Sequence, residues 1–292
     1  MDIVRVAEMP WGESLVAQRR GDEVAHKRLF EGEEGSPDNY MLVMSKEPKS
    51  FYSPRHRHPW DQIRFCLEGR IPIAKGLYVE GGEIAYFPES AHYGPQEGGE
   101  DRIVLLLQFG GASGLGFIGP DRLKQARLEL EREGQFEGGV YTRDVVEGRR
   151  NWDAYEAIWL HVMGGDLSYG AAAYKTPVVM RPEALSWLAT ADKGVSVKNI
   201  GIFPHRGLSI DGMRIDVGGV CRVPASRSLR LLFVTEGAGA IGSEVLPRWS
   251  AMRLQPGDGA ELKTREGLEL LELSVRPVSD LKLPSSTWAC WD

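Results

Sequence analysis

A short polar segment near residue 60 carries side chains whose types and spacing could hold a metal ion. His56 and His58 are two residues apart, and Gln62 and Arg64 continue the same even-numbered series. On an extended strand, alternate side chains share one face, so these four are expected to project to the same side. Imidazole nitrogens and an amide oxygen suit a divalent transition metal. His92, which follows a later strand-and-turn pattern, supplies a fourth candidate ligand.

The segment resembles the first sequence motif of the cupin superfamily. That motif has the form HxH, then three or four residues, a carboxylate, and a strand ending in glycine. His56, His58 and Gly69 occupy those positions, while Gln62 stands where the family usually has Glu. The resemblance covers roughly residues 40–110, and it implies a double-stranded β-helix barrel with a metal at its mouth.

A second segment resembles the second cupin motif, in which a glycine, a strand and a proline precede a histidine. Gly82, Pro88 and His92 match these positions. The resemblance thus implies that His56, His58 and His92 are the three histidine ligands and that Gln62 completes the set.

The replacement of a carboxylate by Gln62 has chemical consequences if a metal is bound. A neutral amide leaves the charge of the ion uncancelled, which strengthens Lewis acidity toward a bound anion, weakens affinity, and removes a general base. Asp61 ranks second as the fourth ligand, because its parity points it away unless the strand bulges, and water is a further possibility. Arg64 is the candidate catalytic residue, gripping an anionic group of the substrate; an internal ion pair is the equal alternative.

The elements that must position these groups are short strands. Apolar or alternating runs at 40–44, 62–67, 84–87 and 103–109 are separated by clusters of Gly, Pro, Glu and Ser, a spacing typical of an antiparallel sandwich or barrel. Two helices are expected in the middle of the chain. One opens at Pro120 and stops at Gly134, and the other is capped by Asn151 and ends at Gly164.

The sequence repeats itself weakly at an offset of 168 residues. Phe65, Glu68, Gly69 and Pro88 correspond to Phe233, Glu236, Gly237 and Pro256. Strand-like runs at 195–202, 229–234 and 268–275 accompany the second copy. We therefore expect an all-β bicupin in three parts: an N-terminal metal-binding barrel with an N-terminal arm at 1–119, a helical connector at 120–170, and a degenerate second barrel at 171–292.

The second copy lacks the ligand pattern of the first. The offset places Pro224, Ser226, Arg230 and Ala260 at the four ligand positions, and this is not a plausible ligand set. We expect the C-terminal barrel to be free of metal and to serve in packing, dimer formation or covering the first site.

Composition limits the classes of partner. The 292 residues carry a net charge of −6, so nucleic acid and anionic membranes have no electrostatic attraction to the chain. Its three cysteines are far apart and predict reduced thiols, and no secretory pattern opens the sequence, so a cytoplasmic location is expected. Exposed strand edges make a homodimer plausible.

The leading functional expectation is a metal-dependent enzyme, an Fe(II) dioxygenase that combines O2 with a small enol, phenol or hydroxyketone. Mn, Ni, Cu or Zn would suit the same ligands. The first alternative is a non-redox metal-dependent isomerase, lyase or decarboxylase, and the second is a barrel that binds a small ligand without catalysis.

Overall fold

The computed structural model describes residues 1–12, 24–96, 99–144 and 148–281. Within these ranges most of the regular structure is β-strand, with two short α-helices and three short 3-10 helices. The all-β expectation is confirmed.

The strands are short, mostly between three and nine residues. In the first half they are β1 (Asp2–Arg5), β2 (Ala25–Glu31), β3 (Tyr40–Glu47), β4 (Asp61–Glu68), β5 (Arg70–Ala74), β6 (Leu77–Glu80), β7 (Ile84–Phe87), β8 (Arg102–Phe109), β9 (Gly134–Glu137), β10 (Val140–Arg143) and β11 (Asn151–Asp153). In the second half they are β12 (Val178–Met180), β13 (Leu188–Ala189), β14 (Val195–Phe203), β15 (Leu208–Ile215), β16 (Val220–Val223), β17 (Leu229–Gly237), β18 (Gly239–Ile241), β19 (Glu244–Leu246), β20 (Ser250–Leu254), β21 (Ala260–Lys263) and β22 (Leu268–Val275). The helices are α1 (Pro120–Leu130) and α2 (Ala154–Met163).

The described chain divides into two compact units. The N-terminal unit contains the described parts of Trp11–Gly81 and Ala85–Val178, and the C-terminal unit contains Met1–Pro10, Gly82–Ile84 and the described residues from Val179 onward. The first ten residues thus belong to the C-terminal unit, whereas the sequence predicted them to be an arm of the N-terminal barrel. The physical reason is that β1 pairs along its whole length with β20. The other predicted domain boundaries stay predictions.

The sheet that carries the candidate site lies in the N-terminal unit. Five of its strands follow the order β7-β4-β8-β3-β2, so β4 has a partner on each side. Gln62 and Arg64 lie on β4 opposite Gln108 and Leu106 of β8. Both residues are buried, and their pairing with β8 fixes the positions of their backbones.

Gly69 ends β4 in a conformation that a larger residue would not adopt easily. Its φ is +75°, and a Cβ atom there would lie 2.6 Å from the carbonyl oxygen of Asp101. Glycine at this position satisfies both the left-handed backbone and the close approach of the neighbouring chain.

The connector folds as part of the N-terminal unit and contains strands as well as helices. Helix α1 begins at Pro120 as expected, but α2 begins later than the sequence indicated. Asn151 lies on β11, and the α2 cap is Asp153, whose carboxylate accepts from the backbone N–H groups of Tyr155 and Glu156. The helix ends at Gly164, which has a left-handed conformation.

The C-terminal unit repeats the central strand pairing of the first. The antiparallel pair β17 and β22 corresponds to β4 and β8, and Gly237 (φ +72°) ends β17 as Gly69 ends β4. The strand registers of the two pairs differ by two residues. Phe65 faces Leu105, so the offset of 168 would place Phe233 opposite Leu273, but Phe233 faces Leu271.

Within the described ranges, no helix has both the length and the apolar character needed to traverse a lipid bilayer. Cys66 and Cys221 are buried free thiols, and burial raises the pKa of Cys66 to about 12. Cys290 lies outside the described residues.

Candidate functional site

The loop before β4 is held against the segment that follows β7. His56 and Tyr93 form an antiparallel bridge in which each backbone N–H donates to the carbonyl of the other, both at 3.0 Å. The backbone N–H of Ser90 also donates to the carbonyl of His58 at 2.8 Å. The two histidines therefore lie on an extended loop rather than on a continuation of β4, and long-range pairing fixes that loop.

The side chains of this loop and of β4 converge on one atom, the phenol oxygen of Tyr93. It lies 2.9 Å from Nε2 of His56, 2.9 Å from Nε2 of His58 and 2.9 Å from Nη2 of Arg64. Nε2 of Gln62 is 3.4 Å away. Four nitrogen-bearing side chains thus surround a single hydroxyl, and we call these five residues the Tyr93 cluster.

The proton positions in the cluster follow from partners that can only accept or only donate. Nδ1 of His56 lies 2.7 Å from the carbonyl oxygen of Pro54, so Nδ1 carries the proton and Nε2 presents a lone pair. Tyr93 donates its only proton to that lone pair. His58 Nε2 and Nη2 of Arg64 then both donate to the phenol oxygen.

Arg64 determines how the Gln62 amide is turned. Its Nε and Nη2 donate to Oε1 of Gln62 at 3.2 and 3.0 Å. A guanidinium has no acceptor, so it must face the amide oxygen and not the amide nitrogen. Gln62 consequently presents its NH2 group, which cannot bind a metal, toward Tyr93.

Arg64 is a buried cation surrounded by neutral groups. Only 7% of the residue is exposed, and its guanidinium lies over the rings of Phe87 and Tyr93, 4.8 and 5.1 Å from their centroids. In the described parts of the chain it has no carboxylate partner, and its Nη1 has no protein acceptor. The ion pair that the sequence left open for Arg64 is therefore not formed there.

His92 does not join the Tyr93 cluster. Its side chain is exposed, and desolvation together with the charges of Arg55 and Arg57 lowers its pKa. Across the described ranges, no three His, Cys, Asp or Glu side chains gather as a metal site would require. The sequence favoured His92 because it is a histidine after the Pro88 turn, but the backbone brings the next residue, Tyr93, to the cluster.

The sequence indicates an irregular turn before Tyr93, but it does not indicate which side chain that turn directs inward. The turn after Pro88 contains Ser90, a residue with a left-handed backbone (φ 67°), and such a turn changes which of the following side chains points inward. Ser90 stands in a segment bounded by Pro88 and Gly94, so an irregular turn was predictable although its effect on parity was not.

Asp61 points away from the cluster, as its parity on β4 predicted. Its carboxylate is buried and accepts from the hydroxyl of Tyr86 at 3.0 Å and from the backbone N–H of Glu89 at 2.6 Å. These bonds anchor β7 and the following turn to β4, and they occupy the carboxylate that ranked second as a ligand.

An aromatic wall supports the second imidazole. The ring of His58 stacks on Trp60 at a centroid distance of 4.4 Å and an interplanar angle of 26°. Trp60 is buried and makes edge contacts with Phe117 and Tyr155. This packing limits the rotation of His58 and keeps its Nε2 directed at Tyr93.

Comparison with known proteins gives a structural answer but no sequence relative. No family model and no curated protein matches the chain. Solved structures do match: a protein from Nostoc punctiforme with a provisional dioxygenase assignment aligns at a TM-score of 0.63 and 11% identity, over 98% of this chain and 87% of that one. The chain has the cupin fold.

Two further cupin structures are similar over most of the chain. HEPD from Streptomyces albus, solved with 2-hydroxyethylphosphonate and Fe(II), has a TM-score of 0.57 and 11% identity, covering 98% of this chain and 79% of that one. A point mutant of salicylate 1,2-dioxygenase from Pseudoaminobacter salicylatoxidans has a TM-score of 0.53 and 16% identity, covering 85% and 73%. At these identities the similarity establishes the fold alone.

Many cupin-fold proteins hold a divalent metal. The donor atoms of the Tyr93 cluster do not suit one. The cluster offers two imidazoles and a phenol but no carboxylate, and the Gln62 oxygen is occupied by Arg64. The guanidinium is a fixed positive charge beside the same phenol oxygen, and away from bulk water it repels a second cation more strongly. The metal roles of His56, His58, Gln62 and His92 stay predictions.

The corresponding strands of the second cupin barrel carry an ion pair. Arg230, which aligns with Gln62, donates through Nε and Nη2 to the two carboxylate oxygens of Glu272, and both side chains are nearly buried. Nη1 of Arg230 donates to the carbonyl of Pro224 at 2.8 Å.

Proposed function

We propose that the N-terminal cupin barrel binds a small organic anion at the Tyr93 cluster and transfers a proton within it, as a non-redox isomerase, lyase or decarboxylase. The observation that carries this proposal is the buried Arg64 cation beside the phenol oxygen of Tyr93. Proton transfer and anion binding both use groups that already contact one another.

The charge of Arg64 supports an anionic ligand. A buried charge is costly unless an opposite charge or a full set of hydrogen bonds compensates it. The partners of Arg64 in the described chain are the neutral Gln62 and Tyr93, while Nη1 remains for a ligand oxygen. A carboxylate or enolate oxygen at Nη1 would supply the missing negative charge in a charge-assisted hydrogen bond.

The loop before β4 adds positive charge near the Tyr93 cluster. Arg55 and Arg57 flank His56 on the loop, and His92 lies close enough for both arginines to lower its pKa. A concentration of one sign of charge around a site attracts oppositely charged ligands and speeds their association.

Tyr93 and His56 form the proton-transfer pair. The phenol passes its proton to the Nε2 lone pair of His56, and the phenolate oxygen then accepts a proton from a substrate carbon next to a carbonyl. The C–H electron pair moves into the carbonyl and makes an enolate, whose oxygen Arg64 stabilises. In a substrate with a neighbouring hydroxyl or double bond, Tyr93 returns the proton to a different carbon of the enediolate or dienolate. His56 then gives its extra proton back to Tyr93, which completes the isomerisation.

The fold neighbours are consistent with an anionic ligand. HEPD was solved with 2-hydroxyethylphosphonate, and another neighbour acts on salicylate. Both compounds carry an acidic group, and this shared feature supports a small organic acid as the ligand of the present chain.

The second candidate function is a metal-dependent enzyme, with an Fe(II) dioxygenase acting on an enol, phenol or hydroxyketone as its leading form. The Fe(II) in the HEPD neighbour favours it. So does the hydrogen bond from Nδ1 of His56 to Pro54, since metal-bound histidines usually donate their other ring N–H to a carbonyl or carboxylate.

Metal analysis and calorimetry separate the two candidates. Protein purified without added metal is analysed for Fe, Mn, Ni, Cu and Zn, treated with EDTA, and titrated with salicylate. We expect substoichiometric metal and salicylate binding that survives EDTA. Stoichiometric metal, with binding or O2 uptake lost on its removal, would overturn the metal-free proposal in favour of the second candidate.

Variants test the roles of the residues. Arg64→Met should abolish salicylate binding, whereas Arg70→Met, at the exposed first residue of β5 in the same unit, should leave it unchanged. Exchange of the C3 protons of 2-oxobutanoate in D2O, followed by NMR, reports proton transfer and should be lost in Tyr93→Phe. Salicylate binding without proton exchange would refute the proposed catalysis and indicate a cupin that binds a ligand without catalysis.

A further inference from the structure

The C-terminal unit contains a solvent-open cavity whose lining residues are not those of the Tyr93 cluster. Two adjoining spaces of about 530 and 410 Å³ share Ser226, Arg227 and Asp280 as lining residues. Ser228 and Arg276 complete the larger one, and each volume lies within the usual range for a small-molecule site. The offset of the repeat places Ser226 where the first barrel has His58.

We propose that this cavity binds a small hydroxylated organic anion through Arg227 and Arg276, with Asp280 accepting from the ligand hydroxyl. The site belongs to the C-terminal unit alone, so it stands independently of the function proposed for the Tyr93 cluster.

Two exposed arginines line the larger space. Neither Arg227 nor Arg276 forms an ion pair with any described residue, although the same unit pairs Arg214, Arg222, Arg230, Arg248 and Arg253 with acids. Arginine presents its donors in a planar fork that matches the two oxygens of a carboxylate or phosphate. A pair of such groups therefore favours an anion with at least two oxygens.

The backbone on both sides of the cavity is fixed. The N–H of Gly257 donates to the carbonyl of Ser226 at 2.7 Å, and the hydroxyl of Ser226 accepts from the N–H of Ser228 at 3.1 Å. On the opposite side, the N–H of Arg276 donates to Gly207 at 3.0 Å, and its carbonyl accepts from buried Arg206 at 2.8 Å. Both arginines are thus presented from held segments, which lowers the ordering cost of binding.

The ion pair on the neighbouring strands β17 and β22 does not attract the ligand. Arg230 and Glu272 fill nearly buried positions on β17 and β22, and each satisfies the other. That pair leaves no uncompensated charge on these strands, so the attraction for an anion comes from Arg227 and Arg276.

Asp280 adds selectivity. Its carboxylate lines both parts of the cavity and would repel a plain anion, but it can accept a hydrogen bond from a hydroxyl. The cavity therefore favours a hydroxy acid over the matching acid without the hydroxyl.

Titration calorimetry of the full chain with L-malate, succinate and inorganic phosphate tests the site. We expect L-malate to bind more tightly than succinate, and Arg227→Gln with Arg276→Gln to weaken L-malate at least about tenfold. Arg265→Gln, an exposed arginine of the same unit, serves as the matched control, and Asp280→Asn should equalise L-malate and succinate. The same titrations in Arg64→Met protein exclude binding at the first site.

Several results would overturn the proposal. They are an absence of L-malate binding up to about 10 mM, equal affinity in the double variant and the Arg265→Gln control, or loss of all binding in Arg64→Met protein with its thermal unfolding unchanged. If Arg64→Met does not fold, heteronuclear NMR of the wild type with L-malate replaces it, and perturbation confined to residues near Tyr93 counts against the second site.

Discussion

The phenol oxygen of Tyr93 and Nε2 of His56 are 2.9 Å apart, although 37 residues separate them in the chain. Their backbones pair directly at the same point. The hydrogen bond is therefore supported on both sides by main-chain geometry, and it links the two sequence segments whose patterns suggested chemistry.

Removal of the Tyr93 hydroxyl tests the centre of the cluster. Tyr93→Phe leaves donors on His58 and Arg64 without their acceptor, and we expect a loss of about 1–3 kcal/mol of unfolding free energy in urea. Proton exchange should fall by a factor of about 10² or more. Tyr52→Phe, at an exposed tyrosine, is the control and should change neither quantity. Full exchange activity in Tyr93→Phe would refute the role of the phenol.

A carboxylate at position 62 tests the charge of the site. Gln62→Glu places a negative group on the nitrogens of Arg64 that now hold the amide oxygen. The resulting ion pair neutralises Arg64, so salicylate affinity should fall at least about tenfold, while unfolding free energy is maintained. Gln62→Met removes the amide and keeps the charge, and it should retain binding better than Gln62→Glu. A gain of stoichiometric metal in Gln62→Glu would instead favour the metal-dependent candidate.

An exposed hydrogen bond between Glu129 and His161, which joins the two helices, predicts a pH dependence of stability. Glu129 on α1 contacts His161 on α2 at 2.6 Å, and hydrogen bonds from His161, then Arg122 and Gln125, lower its pKa from 4.5 to about 2. A carboxylate with a lowered folded-state pKa stabilises the protein above its unfolded pKa, and that stabilisation is lost as the pH falls from about 4.5 to about 2.

Thermal unfolding of wild type and Glu129→Gln measures this effect. The variant should have the lower Tm near neutral pH, and the difference should shrink as the pH falls through that window. Glu131→Gln on the same helix is the control. A Tm difference that stays constant with pH would show that Glu129 does not titrate as described.

A buried ion pair joins the end of β3 to the start of β8, and it can be compared with an exposed charge pair. Nε of Arg102, which is 1% exposed, donates to Glu47 at 2.6 Å. Glu47→Ala leaves this cation buried without its partner and should cost about 3–5 kcal/mol. Glu100→Ala removes the exposed pair with Arg70 and should cost at most about 1 kcal/mol. Equal costs, measured by urea unfolding, would show that burial of Arg102 does not matter.

Two glycines separate backbone strain from steric contact. Gly69 and Gly76 have φ values of +75° and +71°, but only at Gly69 would a Cβ meet a neighbour, the carbonyl of Asp101 at 2.6 Å. Gly76→Ala should cost about 1–2 kcal/mol from the left-handed backbone alone, and Gly69→Ala should cost clearly more. Similar unfolding free energies for the two variants would contradict the steric argument.

The sequence by itself determined several strands and turns of this protein, although not the strands of the connector. Alternation and turn residues depend on neighbours along the chain, so β7 and β22 were predicted with their observed bounds and Gly69 was correctly assigned to a turn. The closeness of Gln62 and Arg64 was also predictable, since alternate residues of one strand share a face.

Only the tertiary structure decided which groups meet. Tyr93 replaces His92 in the cluster because the His56 bridge and the left-handed Ser90 set the facing of a distant segment, and local parity does not contain that information. The Gln62 amide is oriented by the guanidinium of Arg64, and the cavity between Arg227 and Arg276 exists because the fold brings two remote loops together. Local sterics fix each strand, whereas the chemistry depends on contacts between segments that only folding makes neighbours.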